Sequence, residues 1–522
     1  VISILAAATI TLPHVDYTAI LPELILLGGM LFLLGVSALV SRPIPTEAYA
    51  LTTAAIGMSS LIASLFLWHL VSDHGAFQAV ARSMDVDGFA CFGLVLVSCV
   101  VIVASFFAAG YLRQEEIRGP EYYVLALISG SGAMLMGSAN DLILIFLALE
   151  ILSIPLYVMA GFDHRREASA ESAMKYFVLG AFSSAIFLYG IALTYGATGS
   201  TNLGEIGAFL AKNVVVSDGV LMGGLALLIV GFAFKVAAVP FHMWTPDVYA
   251  GAPTPAVGFM AAVAKVGGFM ALLRVLLSTM PTLASTWQPA LWVIATATLL
   301  LGATVALAQR DMKRMLAYSS INHAGFILVG VQAGTIAGAQ GALYYLFAYS
   351  LLALGSFAIV NMVAGKADDG HDIDSYRGLA KRSPFVATSF AVLLLAQAGA
   401  PFTTGFFAKF YVIEAAVEAH SYALAVIAML SAGVAVFFYL RVVLTMFAST
   451  ERAADDALEG LSSDGGTTSL LTRVVSAQGT EQALKISPWM LAGLVFVLGA
   501  TVVLGIWPQP LVSFAHQATL LF

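Results

Sequence analysis

Residues 231–244 read GFAFKVAAVPFHMW: an apolar stretch that carries Lys235 and then runs into Pro240. Proline removes a backbone donor and clashes with the preceding turn, so a helix here must kink or open. Residues 399–412, GAPFTTGFFAKFYV, repeat the arrangement, with an apolar run before them, then Pro401-Phe402, a polar residue and Lys409 two turns on. Lys265 lies in AAVAKVGGFMALL, Lys175 in ESAMKYFVLGAF, and Glu150 in LILIFLALEILSIPLYV. A charge at mid-membrane costs about 2.5–3.5 kcal/mol on insertion scales, so such residues usually mark an ion or proton path.

Composition puts the chain in a bilayer. It is 60% hydrophobic and 10% charged, where soluble domains average about 25% charged. Apolar stretches near 20 residues, the length that crosses about 30 Å of hydrocarbon as a helix, recur throughout. They fall at 17–40, 47–71, 86–110, 121–138, 140–161, 171–196, 217–240, 255–279, 286–308, 312–332, 335–364, 384–416, 420–447 and 488–510, which predicts an all-α membrane protein of about 14 spans. A closed barrel is excluded, because its strands would be about ten residues of alternating polarity.

Spans 7 and 12 carry the two breaks and lie five apart, so they cross in opposite directions. Broken helices at matching positions of two inverted halves point to a transport site at the midplane. The expected architecture is two inverted five-helix repeats, spans 4–8 and 9–13. The expected divisions are 1–110 for helices 1–3, 111–280 and 281–450 for the repeats, 451–487 for a flexible loop, and 488–522 for helix 14 and the tail.

Fifteen basic residues fall in odd-numbered loops and two, Arg82 and Lys212, in even-numbered loops. The positive-inside rule then predicts odd loops in the cytoplasm and both termini outside. Arg274 and Arg441, toward helix ends, are expected to snorkel to the interface. Residues 1–12 lack the basic start of a secretory signal, and a bacterial plasma membrane is the expected location. A net charge of −7 gives no reason to expect a nucleic-acid partner. Cys91 and Cys99 are the only cysteines. About 12 Å apart along one helix, they are too distant for a disulfide and too few for an iron–sulfur cluster. His242 and His323 form no recognisable haem pair.

Placed on this frame, Glu150 and Lys265 come near mid-span, Lys235 before the first break, and Lys175 near a cytoplasmic edge. His242 follows the first break, and His323 sits among small polar residues in AYSSINHAGFILVG. Together they outline a polar strip along the membrane plane. Burial lowers a lysine's proton affinity and raises a carboxylate's, bringing both into the range of exchange. A Glu150–Lys235 ion pair would restore the charged forms. Sites about 10 Å apart at an effective dielectric near 20 interact by roughly 1.7 kcal/mol, about one pKa unit, so one proton biases the next.

Plainer roles compete. Lys175 also reads as a snorkelling or structurally paired lysine, His242 as a cap on frayed carbonyls, and His323 as a packing or helix-capping residue. Glu23 is expected to face the membrane interface or a subunit contact, Asp141 to be a helix N-cap, and Arg310, Asp311, Lys313 and Arg314 to form a solvated turn. Glu414 and Glu418 are expected to be exposed at the outer end of span 12.

LALEILSIPLYVMAG, ESAMKYFVLGAFSSAIFLYG, FKVAAVPFHMWTPDVYAGAPTP and AQRDMKRMLAYSSINHAGF resemble the antiporter-like subunit N family of the respiratory NADH:quinone oxidoreductase, complex I. The resemblance implies a proton-pumping subunit with Glu150 and Lys235 as a coupled pair. It makes Lys265 the central connecting lysine and Lys409 the residue on the broken twelfth helix, with Lys175 and His242 on positions also used in the polar path. The M-type sibling has a glutamate where Lys409 stands, and the L-type continues into a long lateral helix. The resemblance further implies that NADH, FMN, iron–sulfur clusters and quinone bind on other subunits, so no cofactor or metal is expected in this chain. It implies M-type and small K-, J- and A-type membrane subunits, and lipids, as partners. A subunit of an Mrp-type cation/proton antiporter or of a membrane-bound hydrogenase is the alternative. Lysines at the breaks, where sodium would want converging oxygens, argue against the cation carrier.

Overall fold

The computed structural model describes residues 15–42, 44–213, 218–448, 486–518 and 520. The expected loop 451–487 lies almost wholly outside the described residues. The chain is mostly helical. Its first part comprises α1 (Leu21–Leu39), α2 (Thr46–His74), a hairpin of β1 (Phe77–Ala79) and β2 (Met84–Val86), α3 (Gly88–Gln114), α4 (Glu121–Ser138), α5 (Leu142–Ala160), α6 (Glu167–Thr198) and α7 (Leu203–Lys212). There follow α8 (Gly219–Lys235), α9 (Trp244–Gly251), α10 (Thr254–Leu273), α11 (Ala284–Ala308), α12 (Met312–Ala333) and α13 (Ile336–Ala364). The last elements are α14 (Leu379–Arg382), α15 (Pro384–Ala398), α16 (Thr404–Glu418), α17 (Tyr422–Phe447), α18 (Pro488–Ile506) and α19 (Gln509–Gln517).

Among the described residues, ten helices are long and apolar enough to cross a membrane. The other expected spans fall short for local reasons. Proline-marked breaks divide two into halves, and the spans at α4 and α12 are diluted by Ser, Gly and basic residues. Short polar residues start many helices by accepting backbone N–H groups that have no intrahelical partner. Asp87, Asp141, Asp218 and Asp311 all do so, which bears out the N-cap reading of Asp141. Two elements were not legible as spans or loops: the hairpin, and the short amphipathic α7, which buries Leu203, Ile206 and Leu210.

The packing is concentric. α10 is buried along its whole length, and α13 and α3 nearly so, whereas α1, α5, α11 and α17 present large apolar side chains outward. A polar group on α10 or α13 therefore has only protein around it.

Several expectations for charged residues change here. Arg274 does not snorkel: it is fully buried, held by Asp85, Asp87 and the Gly137 carbonyl. Arg441 donates to the carbonyls of Leu307 and Gln309 at the end of α11. Lys313 is also fully buried, donating to the Ala252 carbonyl at 2.6 Å and to Asp368 at 3.4 Å. Glu23 faces inward and is only 2% exposed. Three basic residues that sequence placed near water, Arg274, Lys313 and Arg441, are thus used to neutralise carboxylates or satisfy carbonyls.

Candidate functional site

Both breaks expose carbonyls, and lysines take them. α8 ends at Lys235 itself, not at Pro240, because Val236 leaves the helix and Ala237 turns into the left-handed region at φ 62°. A helix C-terminus leaves carbonyls without partners and carries partial negative charge. Trp244 Nε1 donates to the Phe234 carbonyl at 3.0 Å, and Lys265 Nζ donates to the Val236 carbonyl at 3.0 Å. In the second break α15 ends at Ala398, whose carbonyl accepts from Lys409 Nζ at 2.7 Å. Lys235, Lys265 and Lys409 are 3%, 3% and 6% exposed.

Lys235 has no ion pair with Glu150. Its Nζ donates to Ser153 Oγ at 2.7 Å, and the Ser153 hydroxyl also contacts the Leu149 carbonyl. Glu150 lies one turn earlier on α5, half-buried, within electrostatic reach of Lys235, with Oε1 lacking a hydrogen-bond partner among the described residues. A cavity of about 10 Å³, lined by Ser153, Tyr157, Ser183, Ser184 and Lys235, leaves room for roughly one water.

Between Lys265 and Lys409 lies a set of polar and aromatic side chains, joined partly by hydrogen bonds and partly by ring contacts. The Lys265 ammonium lies 5.8 Å from the centroid of the Tyr349 ring, and Tyr349 Oη donates to Ser320 Oγ at 2.7 Å. The His323 ring centroid is 5.1 Å from that of Tyr349. His323 Nδ1 stands 2.7 Å from Tyr345 Oη, and Nε2 stands 3.0 Å from Tyr439 Oη. Tyr439 Oη also contacts Ser319 and donates to Gln397 Oε1 at 3.3 Å; Gln397 Nε2 donates to Ser356 Oγ at 2.7 Å. Gln397 immediately precedes Ala398, the residue that holds Lys409. His323 thus sits between two phenols and is not a packing residue alone. Tyr345, Tyr349, Tyr439, Gln397 and Ser153 escaped the sequence reading; hydroxyls and amides recurring in apolar spans were the available signal.

Lys175 and His242 stand apart from this row. Lys175 is 41% exposed and pairs with Glu171 at 2.7 Å and with Asp247 at 2.9 Å. Arg314, expected in a solvated turn, reaches the other oxygen of Asp247 at 2.9 Å. Asp247 therefore ties α9, the second half of the first broken helix, to α6 and α12. His242 is half-buried in the break, with Nδ1 unpartnered among the described residues.

Gly399 makes the second break possible. Its φ of +95° is strained for any side chain, and a Cβ there would meet Lys409 Cδ at 3.1 Å. Gly399→Ala is expected to cost about 1–2 kcal/mol in backbone strain and to displace Lys409 from the Ala398 carbonyl. Thermal unfolding of the purified protein, with pumping in vesicles, measures both.

The NADH:quinone oxidoreductase/Mrp antiporter transmembrane family matches residues 139–435. The NADH-quinone oxidoreductase subunit N of Mycobacterium bovis is 46% identical over 78% of this chain and 73% of its own length. The chain belongs to the subunit N family. A chain of respiratory complex I from Thermus thermophilus is 30% identical, covers 94% of this chain with 98% of itself, and superposes with a TM-score of 0.75. A chain of the Mrp complex from Dietzia, 20% identical over 96% of this chain and 97% of that one, shares the fold at a TM-score of 0.80. The chain is a proton-translocating membrane subunit, and its row of buried charges fits that work.

Proposed function

We propose that protons move along the membrane plane through Glu150, Lys235, Lys265, His323 and Lys409, and that redox chemistry in other subunits of an NADH:quinone oxidoreductase drives them. The reading rests on one observation above all: three buried lysines each donate to a neutral oxygen. None has a carboxylate in contact among the described residues. An ammonium held by a carbonyl or a hydroxyl, with no counter-ion touching it, can give up its proton without stranding an anion. Glu150 sets the charge balance at one end, within electrostatic reach of Lys235. Lys409 ends the row, and Lys175, with its Asp247 partner, and His242 border the first break where protons enter.

In this proposal the chain contributes to catalysis as part of the enzyme complex, and NADH, FMN, iron–sulfur clusters and quinone are held by partner subunits. M-type and small K-, J- and A-type membrane subunits surround it, with lipid elsewhere. Of fourteen spans, the ten in two inverted five-helix repeats, 4–8 and 9–13, carry the row. Both termini lie outside a bacterial plasma membrane, as the distribution of Lys and Arg suggests. The Mrp-type reading shares the fold but wants oxygen ligands where lysines stand.

The test is Glu150→Gln in the assembled complex, reconstituted in sealed vesicles. Removing one charge about 10 Å from its neighbour changes proton affinity by about one pKa unit. Proton uptake per electron is expected to fall about three- to tenfold in this chain's share, with NADH oxidation by uncoupled vesicles retained. Unchanged pumping would return Glu150 to a structural role.

A further inference from the structure

The lysine row leaves unused a second cluster of buried charge, at the hairpin end of the bundle. Arg274 opens a six-residue π-helix, Arg274–Thr279, at the end of α10, and such irregular turns recur at functional sites. Its guanidinium donates to both oxygens of Asp87 at 2.9 Å and to Asp85 Oδ2 at 3.2 Å. Asp85 also accepts from Gln78 Nε2 at 3.1 Å. One guanidinium therefore faces two carboxylates, all three groups being at most 5% exposed.

A third carboxyl lies on α1, against Ser138 of α4, which follows the Gly137 whose carbonyl Arg274 holds. Glu23, in the first turn of α1, is 2% exposed, and neither of its oxygens has a hydrogen-bond partner among the described residues. The groups facing this region come from five elements. They are Ser60 on α2, which donates to the Pro22 carbonyl; Cys91 on α3, within electrostatic reach of both Glu23 and Asp87; and Ser138 on α4. The others are Arg274 on α10 and Asp85 on the hairpin. Arg274 is already claimed by two aspartates, so an ionised Glu23 would add a second uncompensated negative charge to a site closed to water. Burying a charge without a partner is far costlier than burying the neutral acid.

We propose that Glu23 is a proton-holding site on the outer side of this chain. It adjoins, by way of Cys91 on α3, the Asp87–Arg274 pair at the end of α10, the helix that bears Lys265. The proposal rests on the proton-translocating reading above and adds to it a site on α1, outside the lysine row.

The experiment is infrared difference spectroscopy of the assembled complex, at rest and during NADH-driven turnover, for the unmodified protein and Glu23→Gln, in H2O and D2O. A carboxylic-acid C=O band that appears in turnover, shifts in D2O and is wholly lost in Glu23→Gln is expected. A spectrum unchanged by the substitution overturns the proposal and assigns Glu23 to packing. Should Glu23→Gln fail to assemble, Glu23→Asp decides: the band moves in frequency if Glu23 carries it and stays put if it does not. Lys265→Ala, run alongside, separates the two readings. Full pumping by that variant sinks the lysine row itself, whereas lost pumping with no Glu23 band sinks only this site.

Discussion

Lys265→Arg is expected to stop proton movement through this chain as completely as Lys265→Ala. Arginine keeps the positive charge and can still donate to the Val236 carbonyl that Lys265 now holds at 3.0 Å. It does not release its proton in proteins. A structural cation would tolerate the exchange; a proton carrier would not. Proton-transfer groups contribute about 10²–10⁴-fold, so the rate through this chain should fall by about 10² or more. The check is acid uptake by sealed vesicles against NADH oxidation in uncoupled ones. Retained pumping in Lys265→Arg would remove Lys265 from the path. α10 is buried along its length, so thermal stability must be followed for both variants to separate misfolding from lost transfer.

Asp368→Ala is expected to be the most destabilising single change, at about 3–5 kcal/mol, the cost of breaking a buried ion pair. The Asp368 side chain is fully buried and receives Arg166 Nη1 at 3.0 Å, Thr254 Oγ1 at 2.6 Å, Lys313 Nζ at 3.4 Å and His371 Nε2 at 3.2 Å. It joins the α5–α6 turn, the start of α10, α12 and the segment after α13. Removing it leaves the fully buried Lys313 with the Ala252 carbonyl and no contacting carboxylate among the described residues. Asp368→Asn with Lys313→Met should recover part of the loss, because it removes both charges at once. Thermal unfolding of the purified protein measures each step, and an Asp368→Ala midpoint within error of the unmodified protein would refute the account.

The same residue predicts a pH dependence. Burial pushes the Asp368 carboxyl up, but Lys313, His371 and Thr254 outweigh it and hold the group well below the usual carboxylate range. A depressed carboxyl stabilises the fold above its unfolded value, and that contribution goes only as pH falls through the lower folded value. The Asp368 contribution should therefore be constant between about pH 5 and 8 and fade only in strong acid.

Some of this was readable from residues alone because the signals were chemical contradictions. A lysine in an apolar span and a proline-phenylalanine pair in mid-helix stand out whatever the packing. The break positions came within a few residues of those observed, and Lys235, Lys265 and Lys409 lie buried at or against those breaks. The contacts were harder. Glu150 looked like the natural partner of Lys235, yet Ser153, one turn on, takes the ammonium. These helices are apolar on every side, so their periodicity does not tell which face turns inward. For the same reason Arg274 and Lys313, near helix ends, were expected in water and lie fully buried. Tyr345, Tyr349, Tyr439 and Gln397 went unnoticed because hydroxyls and amides are common in helices and acquire meaning only from their neighbours.

Sequence by itself determined that the chain lives in a bilayer, where its helices open and which ionisable groups are costly enough to need a purpose. Those follow from transfer free energies and backbone chemistry, which are properties of a residue and its immediate neighbours. Which oxygen receives each ammonium was decided only by tertiary structure. So were the polar bridge across α12, α13, α15 and α17 from Lys265 to Lys409, and the use of Asp368 and Glu23. A hydrogen bond needs two atoms within about 3 Å, and the donors and acceptors here come from helices far apart in the chain.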